Sequence, residues 1–110
     1  MPLTIEDGTV VAGANSYLTL VDAKTFISDR GLDDTAMTEG NMILAYDYVN
    51  SFEQDYQGSR VSANQTGSFP RYDVYINSFA LASNEIPQQL KDAQAYAAYY
   101  EAQNAGILKP

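Results

Sequence analysis

The sequence contains no cysteine and no histidine. The missing thiols exclude disulfides, thiolate zinc sites and cysteine nucleophiles. The missing imidazoles exclude Ser-His-Asp and Cys-His catalysis, most zinc and iron sites, and the usual general base at neutral pH. No phosphate-binding loop and no GxGxxG motif occurs. We therefore expect neither an enzyme nor a protein that holds a metal or another cofactor.

Basic residues are scarce: six Lys and Arg stand against fourteen Asp and Glu, a net charge of −8 at pH 7. Affinity for bulk DNA comes mainly from neutralised phosphates, so an acidic chain disfavours it. Apolar runs are short, and none reaches the roughly 18 residues that a membrane span needs. The opening residues MPLTIEDG have neither the basic nor the apolar region of a secretory signal. We expect no membrane contact.

The length predicts one domain over residues 1–110, because a chain of 110 residues can bury a single small core. The predicted fold class is mostly α: a small bundle of three helices or more, with an extended N-terminal arm and a long loop that can contain a short strand or hairpin. The predicted parts are the arm at 1–18, a helical pair at 19–56, the long loop at 57–86 and a C-terminal helix at 87–106.

Start and stop signals define the first two helices. Thr19 and Thr38 are N-cap candidates, because a hydroxyl there can accept an orphan amide hydrogen bond. Gly31 can take the left-handed conformation that ends the first helix. Gly40 and Asn41 are expected to weaken the first turn of the second helix, the glycine by ~1 kcal/mol.

The second helix is predicted over residues 39–54 from an apolar stripe at helical spacing. Polar positions off the stripe are expected to face water: Asp47, Asn50 and Glu53. The stripe consists of Met42, Ala45, Tyr46, Val49 and Phe52.

Carboxylates are the remaining candidates for catalysis, and the surface interpretation is favoured because acidic residues are seldom buried. Acid–base catalysis needs two carboxyl groups with different pKa values, and the spacing of the acidic residues in this sequence does not require such a pair. An EF-hand loop beginning at Asp29 fails, since its sixth position is Asp34 and its twelfth is Gly40. A carboxylate enzyme is therefore the weakest alternative.

The long loop contains two arginines, Arg60 and Arg71. A guanidinium can hold a loop to carboxylates or carbonyls through its planar donor fork. We predict that both anchor the loop, within or between subunits, in preference to binding phosphate. Residues 72–76 alternate enough for one short strand.

The third helix is predicted from Pro87, which suits the first helical position, to the residues before Gly106. Its apolar residues cover nearly the whole circumference, which is typical of a helix buried on more than one side. In so small a chain the second side is expected to meet another subunit. The residues predicted at that interface are Ala95, Tyr96, Tyr99 and Ala102.

Nine tyrosines among 110 residues leave two interpretations open. They can form a stacking platform for single-stranded nucleic acid, but such platforms normally lie in a basic groove. Tyrosine is also enriched in interface cores, where it supplies large contact area with a polar tip. The charge favours core and subunit contacts.

Several short segments, taken in chain order, are similar to those of one protein family. They resemble tailed-phage proteins labelled DnaT-like single-stranded DNA-binding proteins, which look like the head–tail adaptor (connector) group. This chain has Phe69 where the family often has tryptophan before Pro-Arg, and it contains no tryptophan. The segments are Asn15-Ser16-Tyr17, Asp29-Arg30-Gly31, Tyr56-Gln57-Gly58-Ser59-Arg60, Phe69-Pro70-Arg71, Ile86-Pro87 and the helix with Lys91, Ala93 and Ala97.

The resemblance implies a structural virion protein, made in the host cytoplasm and placed in the capsid neck. It implies a homo-oligomeric, twelve-fold ring beneath the portal protein that extends the DNA channel and docks the next neck or tail protein. DNA would only pass through that channel, whose acidic wall is expected to repel it. The alternative takes the family label literally, as single-stranded DNA binding.

Overall fold

The computed structural model describes residues 2–108, so Met1 of the predicted arm and the last two residues lie outside the described part. The helices are α1 (Leu20–Asp29), α2 (Glu39–Asn50) and α3 (Gln88–Gln103), with a 3₁₀ helix at Glu53–Asp55. Two antiparallel hairpins lie between α2 and α3. One pairs β1 (Ser59–Arg60) with β2 (Arg71–Tyr72), and the other pairs β3 (Tyr75–Ile76) with β4 (Phe79–Ala80).

The prediction of a mostly α-helical bundle is wrong. Helices hold 38% of the residues and strands 9%, so the chain is a small mixed α/β domain with three helices and two small hairpins. Strands of two residues are too short to produce a readable alternation of apolar and polar side chains. The single strand predicted over residues 72–76 is also divided, because Asp73 has a φ of 62° and separates β2 from β3.

Both predicted N-caps are confirmed. Thr19 Oγ1 accepts a hydrogen bond from the Asp22 amide at 3.1 Å. Thr38 Oγ1 accepts one from the Asn41 amide at 3.2 Å, while Asn41 Oδ1 accepts one from the Thr38 amide at 2.8 Å. Asn41 therefore closes a capping box, and the prediction that it weakens the turn is wrong. Gly31 has the left-handed φ, 74°, that was predicted for the end of α1.

A first core cluster forms where the three helices meet. Each helix contributes side chains with no exposed area, and small alanines let α3 approach both neighbours closely. The Phe26 ring of α1 meets the Tyr96 ring of α3 edge-on, with centroids 5.0 Å apart. The fully buried members are Ala23 and Ile27 of α1, Met42 and Ala45 of α2, and Ala95 and Ala98 of α3.

Helix α2 ends at Asn50, four residues before its predicted end. The Ser51 hydroxyl donates to the Tyr48 carbonyl, and the chain then enters the 3₁₀ helix. Phe52 consequently leaves the predicted apolar stripe: it is 43% exposed and packs edge-on against Tyr48 at 5.1 Å. The other four stripe residues are buried as predicted.

The N-terminal arm is fastened to the helices by one buried amide. Gln94 Oε1 on α3 accepts a hydrogen bond from the Tyr17 amide at 2.9 Å. Its Nε2 donates to Ser16 Oγ and to the Met42 carbonyl of α2, each at 2.9 Å. One fully buried side chain thus joins the arm, α2 and α3.

Candidate interaction surface

Three charged side chains hold the long loop and are called here the anchor cluster: Glu53, Arg60 and Arg71. Arg60 pairs with Glu53 at two points, Nη2 to Oε1 at 2.6 Å and Nε to Oε2 at 2.7 Å. Arg71 Nη1 donates to Glu53 Oε2 at 3.0 Å. The prediction that Glu53 faces water is wrong. Helix α2 ends at Asn50, before Glu53, and the Glu53 carboxylate contacts the two arginines.

Hydrogen bonds from Arg60, with a further contribution from Arg71, lower the pKa of Glu53 to about 2. The same contact raises the pKa of Arg60. Glu53 and Arg60 are therefore charged at neutral pH, and two of the six basic residues in the chain, Arg60 and Arg71, pair with this internal carboxylate.

Arg71 also binds the loop backbone, and only 6% of its side chain is exposed. It donates to the carbonyls of Gln57, Gly58 and Ser68 at 2.7, 2.9 and 3.2 Å. Arg60 reaches the Gln65 carbonyl at 2.9 Å. Both arginines, which the sequence analysis predicted as loop anchors, thus lie on the β1–β2 hairpin with their donors turned inward.

A second polar layer joins the loop to α2 and the arm. The Tyr17 hydroxyl donates to Asn50 Oδ1 at 2.8 Å and accepts from the Phe69 amide at 3.2 Å. Burial raises the pKa of Tyr17, so the phenol stays neutral. A side chain at Gly67 would collide with the Tyr17 and Tyr46 hydroxyls, since its Cβ would lie within 2.5 Å of both. The loop backbone at Gly67 therefore packs closely against both tyrosine hydroxyls.

The β3–β4 hairpin projects beyond this rigid base and is called here the aromatic hairpin, residues 75–80. Ile76 lies directly across from Phe79. Phe79 is 79% exposed, and Tyr75 is 53% exposed. Large apolar side chains exposed on one short segment indicate a contact surface more than a core element.

Two apolar clefts lie along the outer side of α3. The hairpin cleft, about 270 Å³, lies between the loop and the first half of α3. The α2–α3 cleft, about 410 Å³, lies against the second half of α3. Residues lining the hairpin cleft include Tyr56, Phe69, Val74, Ile76, Pro87, Leu90 and Ala93. The α2–α3 cleft is lined by Tyr48, Ala93, Tyr96, Ala97, Tyr100, Ile107 and Leu108.

The four α3 residues predicted at a subunit interface lie mostly against the chain's own core. Ala95 has no exposed area, and Tyr96, Tyr99 and Ala102 are partly buried against the first core cluster. Tyr96 also lines the α2–α3 cleft. Tyr100, on the same helix, is 52% exposed. Contact with another subunit stays a prediction for these four residues.

Sequence reasoning missed three buried polar anchors. Gln94 joins the arm to the helices, Glu6 accepts three backbone amides of the arm at 2.8–2.9 Å, and Glu101 accepts the amides of Gly106 and Leu108. A lone amide among the alanines of α3 was a usable signal for Gln94. No comparable pattern distinguishes the two glutamates from surface acids.

Residues 2–108 contain neither a metal-binding cluster nor a membrane-spanning helix. No group of three acidic side chains there is arranged to hold a metal ion. None of the helices in that range has the length and apolar character needed to cross a bilayer.

One comparison with known proteins decides the family. A family model described as "Putative DnaT-like ssDNA binding protein" matches residues 1–110. The chain belongs to this family. Comparison with curated proteins and comparison with solved structures returned no match. The DnaT-like part of the predicted resemblance is thus confirmed, and the matched description mentions single-stranded DNA but no virion component.

The chemistry of this DnaT-like surface differs from that of a nucleic-acid groove. Stacking platforms combine aromatic side chains with a basic path for the phosphates. Here the aromatic residues Tyr75 and Phe79 are exposed, but the arginines below them donate to Glu53 and to loop carbonyls. The arrangement can bury apolar area readily, whereas it offers phosphate few free donors.

Proposed function

We propose that this protein is a non-enzymatic structural subunit, a head–tail adaptor of a tailed-phage virion that forms a ring beneath the portal and docks the next neck or tail protein. The observation that carries the proposal is the exposed aromatic and apolar surface of an acidic chain, formed by the aromatic hairpin and the two α3 clefts, in which Asp55 at the hairpin cleft is the one charged residue among those described. Surfaces of this kind gain free energy by burying apolar area against protein.

The distribution of charge supports protein contact over nucleic-acid contact. A net charge of −8 opposes the approach of phosphates. Two of the six basic side chains, Arg60 and Arg71, are held by Glu53. An acidic subunit suits a channel wall that DNA must slide past, because a basic wall would retain it.

Structural analysis of the virion tests this proposal. Cryo-EM of the neck is expected to show a collar of this domain directly beneath the portal, with the aromatic hairpin in a protein interface. Mass spectrometry of purified virions should detect the chain at a copy number matching the portal. Complete particles that lack the chain would contradict the adaptor function.

Single-stranded DNA binding is the second candidate function, because the family description supports it directly. The exposed rings of Tyr72, Tyr75 and Phe79 could each stack on a base, and such contacts are worth about 1–3 kcal/mol per base. Fluorescence anisotropy with labelled oligo-dT, measured over a salt series, separates the two candidates. An adaptor should show no saturable binding at physiological salt.

Micromolar binding that weakens steeply with salt and with Phe79→Ala would favour DNA binding. Duplex DNA of the same length serves as the competitor in that series. Retention of full affinity in Phe79→Ala would remove the hairpin from the DNA site.

A further inference from the structure

We infer that the aromatic hairpin of one copy docks into the α2–α3 cleft of a second copy, with Phe79 as the anchoring side chain. This inference rests on the proposed function, since it names the contact by which copies of the subunit join. Three observations support the contact: an exposed apolar side chain on the hairpin, an apolar cleft that can receive it, and the absence of charged residues from the hairpin.

The hairpin presents Phe79 in a defined position. Asn77 and Ser78 both have positive φ, 51° and 72°, which is the two-residue turn that matches the twist of the flanking strands. The Gln57 side chain binds both backbone groups of Tyr75, accepting from its amide at 3.0 Å and donating to its carbonyl at 3.1 Å. Docking a segment that is already ordered costs little conformational entropy.

The α2–α3 cleft can receive an aromatic ring. Its volume of about 410 Å³ falls within the range of pockets that enclose a bound group. Tyr48, Tyr100 and Ile107 on its rim are 39–52% exposed and would lose that exposure on docking. An inserted phenylalanine would pack against the aromatic and aliphatic side chains that line this open cleft, as an anchor residue of an interface does.

The charge distribution favours a second copy as the occupant. Two chains of net charge −8 repel each other, so a contact between copies is least opposed where neither surface carries acidic residues. Residues 74–84, which contain the hairpin, include no Asp, Glu, Lys or Arg. Among residues 2–108, the cleft lining contains none either. The pairing therefore joins the neutral parts of two acidic molecules.

The positions of the two parts make the contact head-to-tail. Ile76, directly across the hairpin from Phe79, lies beside Pro87 and Leu90 at the start of α3. The receiving cleft centres on the second half of α3, around Tyr96 and Tyr100. One copy can therefore donate its hairpin and receive another at the same time. Contacts of this type build rings when the rotation closes.

Sedimentation and light scattering of matched variants test the contact. Phe79→Glu removes the anchor, Tyr100→Glu charges the cleft rim, and Val21→Glu on α1 is the control, since Val21 is 71% exposed on a different face. We expect wild type and Val21→Glu to assemble alike, and each of the other two variants to associate about 30-fold more weakly or worse. Circular dichroism checks that all variants fold.

Mixing the two defective variants gives the sharpest readout. The Phe79→Glu copy keeps an intact cleft and the Tyr100→Glu copy keeps an intact hairpin, so an equimolar mixture should form a one-to-one dimer and nothing larger. Because the chain has no cysteine, Phe79→Cys mixed with Tyr100→Cys should also give a disulfide-linked dimer under mild oxidation, whereas Phe79→Cys mixed with Val21→Cys should not.

Each failure has a distinct meaning. Assembly that persists unchanged in Phe79→Glu and Tyr100→Glu would overturn the docking contact while leaving the adaptor function standing. The docking contact is also overturned if the two defective variants do not pair. A wild-type chain that stays monomeric at its highest soluble concentration, and is missing from virions, would overturn both.

Discussion

Arg60 lies against Glu53 in a two-point ion pair, with nitrogen–oxygen distances of 2.6 and 2.7 Å, and Arg71 completes the same contact from the next strand. The two arginines face each other in the β1–β2 register. Glu53 therefore bridges two like charges that the hairpin itself brings together, and it reduces their repulsion. Without this carboxylate the base of the aromatic hairpin would carry two adjacent guanidiniums.

Glu53→Gln should destabilise the fold by about 1–3 kcal/mol, because it leaves the largely buried Arg71 without a counter-ion. Urea unfolding followed by circular dichroism measures the change. Asp55→Asn in the same 3₁₀ helix is the matched control, since Asp55 is exposed, and it should stay within about 0.5 kcal/mol of wild type. Equal losses in both variants would contradict a specific role for the anchor cluster.

Glu53 should also give the fold a measurable acid sensitivity. Its pKa is lowered from 4.5 to about 2, so its ionised form stabilises the folded state above about pH 4.5, and this contribution is lost as the pH falls toward 2. The difference in melting temperature between wild type and Glu53→Gln is expected to be largest near neutral pH and to shrink between pH 4.5 and 2. A constant difference over that range would count against the ion pair.

Gln94→Leu should cost about 2–4 kcal/mol, although it places an apolar side chain in a buried site. The substitution leaves the Tyr17 amide, the Met42 carbonyl and the Ser16 hydroxyl without this partner. Gln89→Leu on the same helix is the control, because Gln89 is exposed. Hydrogen exchange should show faster exchange at the Tyr17 amide in Gln94→Leu only. Unchanged protection there would remove the proposed link between arm and helix.

Alanine substitutions at two glycines distinguish the cost of backbone strain from the cost of a steric collision. Gly13 and Gly58 have nearly the same φ, 70° and 72°, but a Cβ at Gly13 meets nothing within 4 Å whereas one at Gly58 would lie 1.7 Å from the Tyr72 carbonyl oxygen. Gly13→Ala should cost about 1 kcal/mol from strain alone. Gly58→Ala should cost about 3 kcal/mol or more, because β1 and β2 must separate. Similar urea midpoints for the two variants would refute the close approach.

Local rules predicted much of the helical half of this chain. The caps at Thr19 and Thr38 and the glycine after α1 depend on residues within one helical turn, so sequence spacing reveals them. The end of α2 was predicted too late, because Phe52 has the right spacing for the stripe but the chain has already turned. The helical spacing of an apolar side chain such as Phe52 does not show at which residue the helix ends.

The candidate surface was harder to predict. Arg60 and Arg71 stood out as loop arginines, but their shared partner Glu53 looked like a surface acid. On α3, Ala95 is buried in the chain's own core and Tyr100 is exposed, and the sequence pattern does not distinguish the two. A helix that is apolar nearly all round has no periodicity to show which side meets its own fold.

Composition and short-range pattern alone were enough to exclude thiol and imidazole chemistry, to establish an acidic chain, and to locate three helices and the N-caps of the first two; α3 begins at Gln88, one residue after the predicted Pro87. Those properties depend on residue type and on neighbours a few positions away. Three-dimensional packing was needed to show that Gln94 binds Tyr17 across 77 positions, that Glu53 joins two arginines, and that an uncharged hairpin projects from the loop. Contacts between distant segments depend on how the whole chain closes, and no local spacing records them.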